Sequence, residues 1–485
     1  MTLAVNSCIG RRGLLIAGAA AVGIGSLAFV KTSSRRNADV VVIGGGAAGL
    51  AAAVSAAESG ASVILLEKQA ELGGNTRISG GFFAAVDPSR QRRQHIDDSK
   101  ELFLKQILES GGGRSSPILA KKLVDGAGEA IVWLEGLGMR FQDDVIEIYG
   151  AHWPRCHKPV MPAGEGYIYT LSAAAGKLGV DIRTGAKAER LEHDPAGGWI
   201  VAVRTKDGFE SIRSRRAVVL ASGGFGANRS MIKTFAPQLS GLTTDNTPGS
   251  TGEMLLEAKR HGGCLVDMNF IQCLPGCPPG RSHRVVLHSD VSRFIFVDKR
   301  GKRFVREDER RDVLRDAVLA LPEGYAYCIV DNDGLKSYNV VMQKNTVIGV
   351  ETGDAWRGNT IEDLARAMGL PEKALRETVD RYNASVSNGR DEFGKSPTEL
   401  THPLVKPPFW ACFAGMTIHY TMGGIRINEK AEVITAQNQP ISGLYAAGES
   451  TGGVHGINRM GANGINDAIV FGRMAGQEAA KCGLA

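Results

Sequence analysis

Gly44, Gly46 and Gly49 follow the apolar run 40–43 (VVVI), and Glu67 closes a second apolar run over 61–66 (ASVILL). Glycines at this spacing serve one kind of chemistry. Gly44 permits a tight turn, Gly46 lets the backbone approach a pyrophosphate, and Gly49 lets a helix pack closely on a strand. The free N–H groups at the start of that helix hold phosphate oxygens. A carboxylate about twenty residues on, here Glu67, accepts from ribose hydroxyls, so the segment is expected to bind a dinucleotide. Far downstream, Arg459 stands in a loop rich in glycine and asparagine, 455–463 (HGINRMGAN). A planar guanidinium there can grip a carboxylate through two parallel hydrogen bonds. Its alternative use is a structural salt bridge.

The elements that must position these groups alternate strand, glycine turn and helix. A second glycine-rich polar loop carries Gly74, Asn75, Thr76, Ser79, Gly80 and Gly81, and helical patterning runs on to about residue 140. Residues 180–183 (VDIR) and 199–203 (WIVAV) have strand character, and a short apolar strand over 217–221 leads into Ser222 and Gly223. Residues 443–449 (GLYAAGE) repeat the order strand, glycine, acid at Gly448 and Glu449, before a closing loop and helix over 452–482. Between 269 and 421 the chain becomes basic and proline-interrupted, with a helical stretch over 360–387 and no nucleotide turn. The expected fold class is α/β. A split Rossmann-like dinucleotide-binding domain occupies 37–268 and 422–485, and an α+β capping domain is inserted over 269–421.

At 485 residues the chain is too long for one small core, which agrees with two domains. Its net charge of +6 comes without an arginine-rich arm or interleaved aromatic and basic residues, which argues against nucleic acid. Arg11 and Arg12 precede a weakly apolar Ala/Gly-rich run over 14–29, shorter than the ~20 residues of a spanning helix. Twin arginines before such a run resemble a Tat signal, which exports proteins already folded around their cofactor. The alternatives are a membrane anchor or a chance helix. Residues 1–36 are expected to be signal and linker, and the protein periplasmic, tethered to the membrane if the signal is uncleaved. The eight cysteines include no CxxCH for covalent haem and no cluster spaced for an iron–sulfur centre. Cys273 and Cys277 admit a disulfide, a redox pair or neither. No metal site is expected.

Taken in order, the motifs resemble the flavoprotein reductases of the fumarate reductase and flavocytochrome c type, urocanate-reductase-like members included. The resemblance spans about residues 38–480. It rests on 44–50 (GGGAAGL) with Glu67, the 73–81 loop, 221–224 (ASGG), 301–305 (GKRFV), 419–424 (HYTMGG), 443–449 and 455–463. It implies FAD held by Gly44, Gly46, Ala48, Gly49, Glu67 and Lys68, and by Gly74, Asn75, Thr76, Ser79, Gly80 and Gly81. Ala186, Ala221, Ser222, Gly223, Gly448, Glu449, Asn463, Gly464 and Ile465 complete the implied cofactor contacts. A mobile clamp would close over the isoalloxazine. The implied chemistry is reduction of a C=C bond, with hydride from flavin N5 reaching the β-carbon and a proton reaching the α-carbon. In the family the proton donor is an arginine ten residues after the glycine of GKRFV, followed by Asp. Here that is Arg311, before Asp312, with Arg310 and Arg315 near enough for a slip of register. Arg459 would bind the substrate carboxylate and polarise the alkene, with His419 and Tyr420 completing the catalytic group.

This chain departs from the family at informative places. A family His in Gln-x-His-Pro is Leu274 here, and the second of two histidines before Thr-Met-Gly-Gly is Tyr420. The family's relay Glu and Arg are not reproduced in 287–290 (LHSD), which leaves Asp290 or His288 to pass the proton. A dianion bound there would lose charge-assisted hydrogen bonds worth about 1.5–3 kcal/mol each. The expected substrate is therefore an α,β-unsaturated monocarboxylate with a neutral, apolar or aromatic far end, such as a urocanate, cinnamate or methacrylate. Electrons would come from a separate c-type cytochrome or a membrane quinol-dependent donor, in anaerobic respiration. Three further readings stay open: fumarate reductase proper, a 3-ketosteroid Δ1-dehydrogenase-like enzyme, and a flavin-loaded electron-transfer subunit. Tyr420 favours the steroid enzyme and Arg459 opposes it.

Overall fold

The apolar runs at 40–43, 63–66 and 217–220 are buried along their whole length, as strands of a parallel sheet covered on both faces must be. The computed structural model describes residues 36–483 apart from 279, 282 and 339. The twin-arginine segment lies outside the described residues. Gly208–Leu220 runs parallel to Asn37–Ile43, which runs parallel to Val63–Leu66. Asp181–Arg183 and Pro440–Ala446 complete a set of five parallel strands, and Glu432–Ile434 pairs antiparallel at one edge. Gly208–Leu220 is much longer than the expected 217–221. Its polar first half pairs antiparallel with Trp199–Thr205, which in turn pairs with Lys187–His193.

The helices Ala47–Glu58 and Asn463–Lys481 pack backbone to backbone. A Cβ on Gly472 would lie 2.5 Å from the Ala48 carbonyl oxygen, and one on Gly476 would lie 2.1 Å from that of Ala52. Small residues on both helices permit this approach. The first turns of both helices line one cavity at the carboxyl rim of the sheet, where open α/β sheets bind their ligands.

A second sheet has Phe409–Thr421 as its spine. Ile271–Gly276, Tyr325–Val330 and Ala355–Gly358 pair antiparallel with it, Thr243–Thr244 pairs parallel, and Phe294–Val297 pairs with Tyr325–Val330. Its own core includes Ile295, Ile329, Leu364, Leu375, Val379 and Tyr382. The helical stretch expected over 360–387 is two helices, Ile361–Met368 and Glu372–Asn388. Gly369 stops the first in a left-handed conformation (φ 68°), and Pro371 precedes the second. The register of Ile271–Gly276 against the spine shifts between Gln272 and Cys273, leaving His419 as the extra residue of a β-bulge. Bulges re-aim side chains, and this one stands beside the site described next. Among the described residues no helix is long and apolar enough to cross a membrane.

Candidate active site

A cavity of about 2080 Å³ runs from the rim of the parallel sheet to the six-stranded sheet. At its nucleotide end the three glycines separate by role. A Cβ on Gly44 (φ 115°) would lie 2.2 Å from the Ala221 carbonyl oxygen, and one on Gly49 would lie 1.9 Å from that of Gly44. The chain's own packing demands glycine at both. Gly46 differs: its φ is −79°, and a Cβ there would meet no protein atom nearer than 3.7 Å. The free space leaves room for the close approach of a cofactor's pyrophosphate. Glu67 is buried, its Oε2 accepting from the Gly45 N–H at 2.7 Å and its Oε1 from the Gln69 N–H at 2.8 Å. Each oxygen keeps lone pairs for hydroxyl donors. The Asn75 amide donates to Asn246 at 2.6 Å and to Glu449 at 3.3 Å. Glu449 also accepts from the backbone and hydroxyl of Thr421, and burial pushes its carboxyl up to about 7. The buried Ser222 hydroxyl on the cavity wall has no hydrogen-bond partner among the described residues, as expected of a group that a polar cofactor satisfies. The groove fits FAD.

Of the residues the resemblance implies for the cofactor, most line this cavity, Ala48, Ala186, Gly464 and Ile465 among them. Gly49, Gly448 and Asn463 do not. Gly49 and Gly448 are packing positions, a Cβ on Gly448 falling 2.8 Å from that of Ala48. Asn463 is fully buried, and its amide has no partner among the described residues. Lys68 lines the cavity, but its ammonium donates to Thr251 and to Glu253 at 2.9 Å.

At the other end two arginines meet over one amide. Arg311 is the first residue of the helix Arg311–Leu319, whose buried face is Arg311, Leu314 and Val318. Its Nη1 donates to Gln272 Oε1 at 3.0 Å and its Nη2 to the Tyr149 carbonyl at 2.5 Å. Gly150 makes room: a Cβ there would lie 2.8 Å from Arg311 Nε. Arg459 Nη2 donates to the same Gln272 oxygen at 2.9 Å, and its guanidinium lies 4.5 Å from the centre of the Tyr420 ring. Gln272 is held in turn by donating to Asn458 and to the Arg459 carbonyl. Both arginines are buried, neither has a carboxylate partner among the described residues, and both Nε atoms lack acceptors. Burial, and then the charge of Arg459, push Arg311 down to about 9. Burial likewise lowers Arg459. Arg310 and Arg315 are instead paired with Asp312 and Asp316. Two unpaired cations this close leave a strong demand for negative charge in the chamber.

The remaining expected groups occupy different places. The Tyr420 hydroxyl donates to Asp467 at 3.3 Å, so Tyr420 serves Arg459 through its ring. His419 contacts Asp245 through Nδ1 at 3.0 Å. His288 is buried on the cavity wall and makes no hydrogen bond to Arg311. Burial, then Arg284 and Arg311, push it down to about 3, which keeps it from carrying a proton as imidazolium. Asp290 caps the turn Val291–Arg293 and pairs with Arg293 at 2.9 Å. Leu274 lines the cavity as expected. Cys273 and Cys277 are both unpaired, and burial pushes the Cys273 thiol up to about 12. Tyr149 and Asp245 carry no sequence signal for these positions, and Gln272, the first residue of the Gln-x-His-Pro match, carries none for its bridging role. The bulge and three segments distant in sequence put them there.

A groove that fits FAD and opens into a chamber of two guanidiniums without carboxylate partners among the described residues defines a flavin-dependent oxidoreductase. The FAD binding domain family matches residues 39–465. The chain is 37% identical over 420 residues to a fumarate reductase (cytochrome) of Shewanella frigidimarina, covering 86% of this chain and 72% of that protein. It is 34% identical over 428 residues to a urocanate reductase of Eggerthella lenta, covering 85% and 70%. The open conformation of a flavocytochrome c3 fumarate reductase matches at a TM-score of 0.74 and 34% identity, covering 93% of this chain and 79% of that one. The chain belongs to the FAD-binding family of fumarate-reductase-like flavoproteins. It is an FAD-dependent oxidoreductase acting on CH–CH bonds.

Proposed function

We propose that this protein reduces the C=C bond of an α,β-unsaturated monocarboxylate in anaerobic respiration outside the cytoplasm. The observation that carries the reading is the pair of unpaired, buried guanidiniums of Arg311 and Arg459 on one oxygen of Gln272. FAD held along Gly46 and Glu67 would supply the hydride. Arg459 grips the substrate carboxylate and stabilises the charge that develops on it. Arg311 holds the proton for the α-carbon, and its lowered pKa makes an arginine a workable acid. Residues 269–421 act as the cap that brings Arg311 and Leu274 to the substrate. A steroid ketone would leave both guanidiniums without an anion, which disfavours that alternative. Named relatives that act on fumarate and on urocanate support the enoate class. The electron donor is a separate c-type cytochrome or a membrane quinol-dependent protein.

An enoate panel with reduced methyl viologen tests the substrate class. A urocanate, cinnamate or methacrylate is expected to exceed fumarate in kcat/KM. Fumarate as the best substrate would make this a fumarate reductase proper. Export has its own test. Changing Arg11 and Arg12 together to lysine is expected to retain the protein in the cytoplasm, since the Tat route reads the arginine pair as an address. Undiminished export of that variant would refute the route.

A further inference from the structure

The far end of the chamber contains a third arginine that is not free. Arg284, His419 and Asp245 all line the cavity, and the first two converge on the third. Arg284 Nη1 lies 3.1 Å from Asp245 Oδ2, and His419 Nδ1 lies 3.0 Å from that oxygen and 3.2 Å from Oδ1. Arg284 also donates through Nη2 to the Pro275 carbonyl at 3.0 Å, while its buried Nε has no acceptor among the described residues. On the same wall Leu274 and Val286 are aliphatic, and His288 is kept neutral by burial. His419 lies below its ordinary pKa, because burial outweighs the pull of Asp245. The near end thus offers two uncompensated positive charges. The third arginine, Arg284, is already neutralised by Asp245.

We propose that Asp245 is the specificity-determining residue of this enzyme: by occupying Arg284 and His419 it excludes a second carboxylate and selects enoates with an uncharged far end. The proposal rests on the enoate-reductase reading and deepens it. A dicarboxylate would have to place its second carboxylate against that of Asp245 or displace Asp245 from Arg284. Like charges brought together in this way are a common source of discrimination. Leu274 withholds a hydrogen bond there, whereas Asp245 opposes the charge itself.

Fumarate and its monoamide, fumaramate, have nearly the same shape and differ in the charge of one end. The experiment measures kcat/KM for both in the FAD-loaded protein with reduced methyl viologen. The native enzyme is expected to favour the monoamide by about 10–100-fold, the worth of one charge-assisted contact. Asp245→Asn keeps the volume, releases Arg284, and is expected to move the ratio toward fumarate by about tenfold or more. Adding Arg284→Gln to that variant is expected to abolish the gain. A ratio that stays the same in Asp245→Asn overturns the proposal and leaves the reductase reading standing. A native enzyme that reduces no enoate sinks the reading and the proposal with it. If Asp245→Asn fails to hold flavin, Arg284→Gln alone gives the reciprocal test. Leaving Asp245 uncompensated should widen the monoamide preference by about tenfold, and an unchanged ratio again overturns the proposal.

Discussion

Arg311→Ala is expected to lower kcat by about 10²–10⁴ while KM stays near its native value, the loss typical of a positioned acid. The protein should still fold and hold flavin. Removing Arg311 leaves Gln272 to Arg459 alone and takes one of two like charges out of a buried site. Retained melting temperature and flavin content would separate a catalytic role from a structural one. Arg459→Ala should behave differently, raising KM strongly as well as slowing turnover, because a carboxylate grip acts in ground and transition states alike. The pH profile adds an independent check. The protonated guanidinium is the donor, so activity is lost as pH rises through its pKa. In the free enzyme Arg311 lies at about 9, so kcat/KM should fall through about pH 9 in the native enzyme and show no such limb in Arg311→Ala. A bound carboxylate offsets the charge of Arg459, so the same limb in kcat should sit at higher pH. Native turnover by Arg311→Ala would contradict the assignment, and with Arg310 and Arg315 already paired to carboxylates the acid would have to come from another element.

Gly46→Leu is expected to abolish FAD loading without unfolding the protein. A side chain there enters open space on the protein side, with no atom within 3.7 Å of the new Cβ, but fills the path of the pyrophosphate. Gly44→Ala and Gly49→Ala should instead lose the fold, because each new Cβ would fall within 2.2 Å of a backbone oxygen. Flavin absorbance and thermal melting of the three variants separate the two outcomes. A Gly46→Leu protein that binds FAD as well as the native one would remove the groove from the account.

What the sequence made legible was local. The strand, glycine turn, helix and acid of 39–67 lie within one short segment, so spacing alone sufficed to place Glu67 on the rim. The helical character of 360–387 was also local, but its reading as one stretch passes over Gly369 and Pro371, the stop and start signals that divide it into two helices. Legibility failed where a residue's role depends on segments distant in sequence. Gln272 stands in the stretch compared with the family, yet its bridging role exists only because a β-bulge, the 455–463 loop and the start of the 311–319 helix meet there. Tyr420 reads as the loss of a histidine contact to a substrate carboxylate. Its hydroxyl is taken by Asp467, 47 residues away, leaving the ring for Arg459. Asp245 follows a two-residue strand at the edge of the second sheet, where no motif marks it and only the fold brings Arg284 and His419 to it.

The most direct measurement follows the flavin itself. The purified protein is reduced under anaerobic conditions and mixed with a monocarboxylic enoate, and flavin absorbance and the acid product are monitored together. Stoichiometric reoxidation of the flavin with formation of the saturated acid is expected, slowed strongly in Arg311→Ala. A flavin that stays reduced with every enoate, yet is reoxidised at once by an artificial electron acceptor, would contradict the account and leave an electron-transfer subunit in its place.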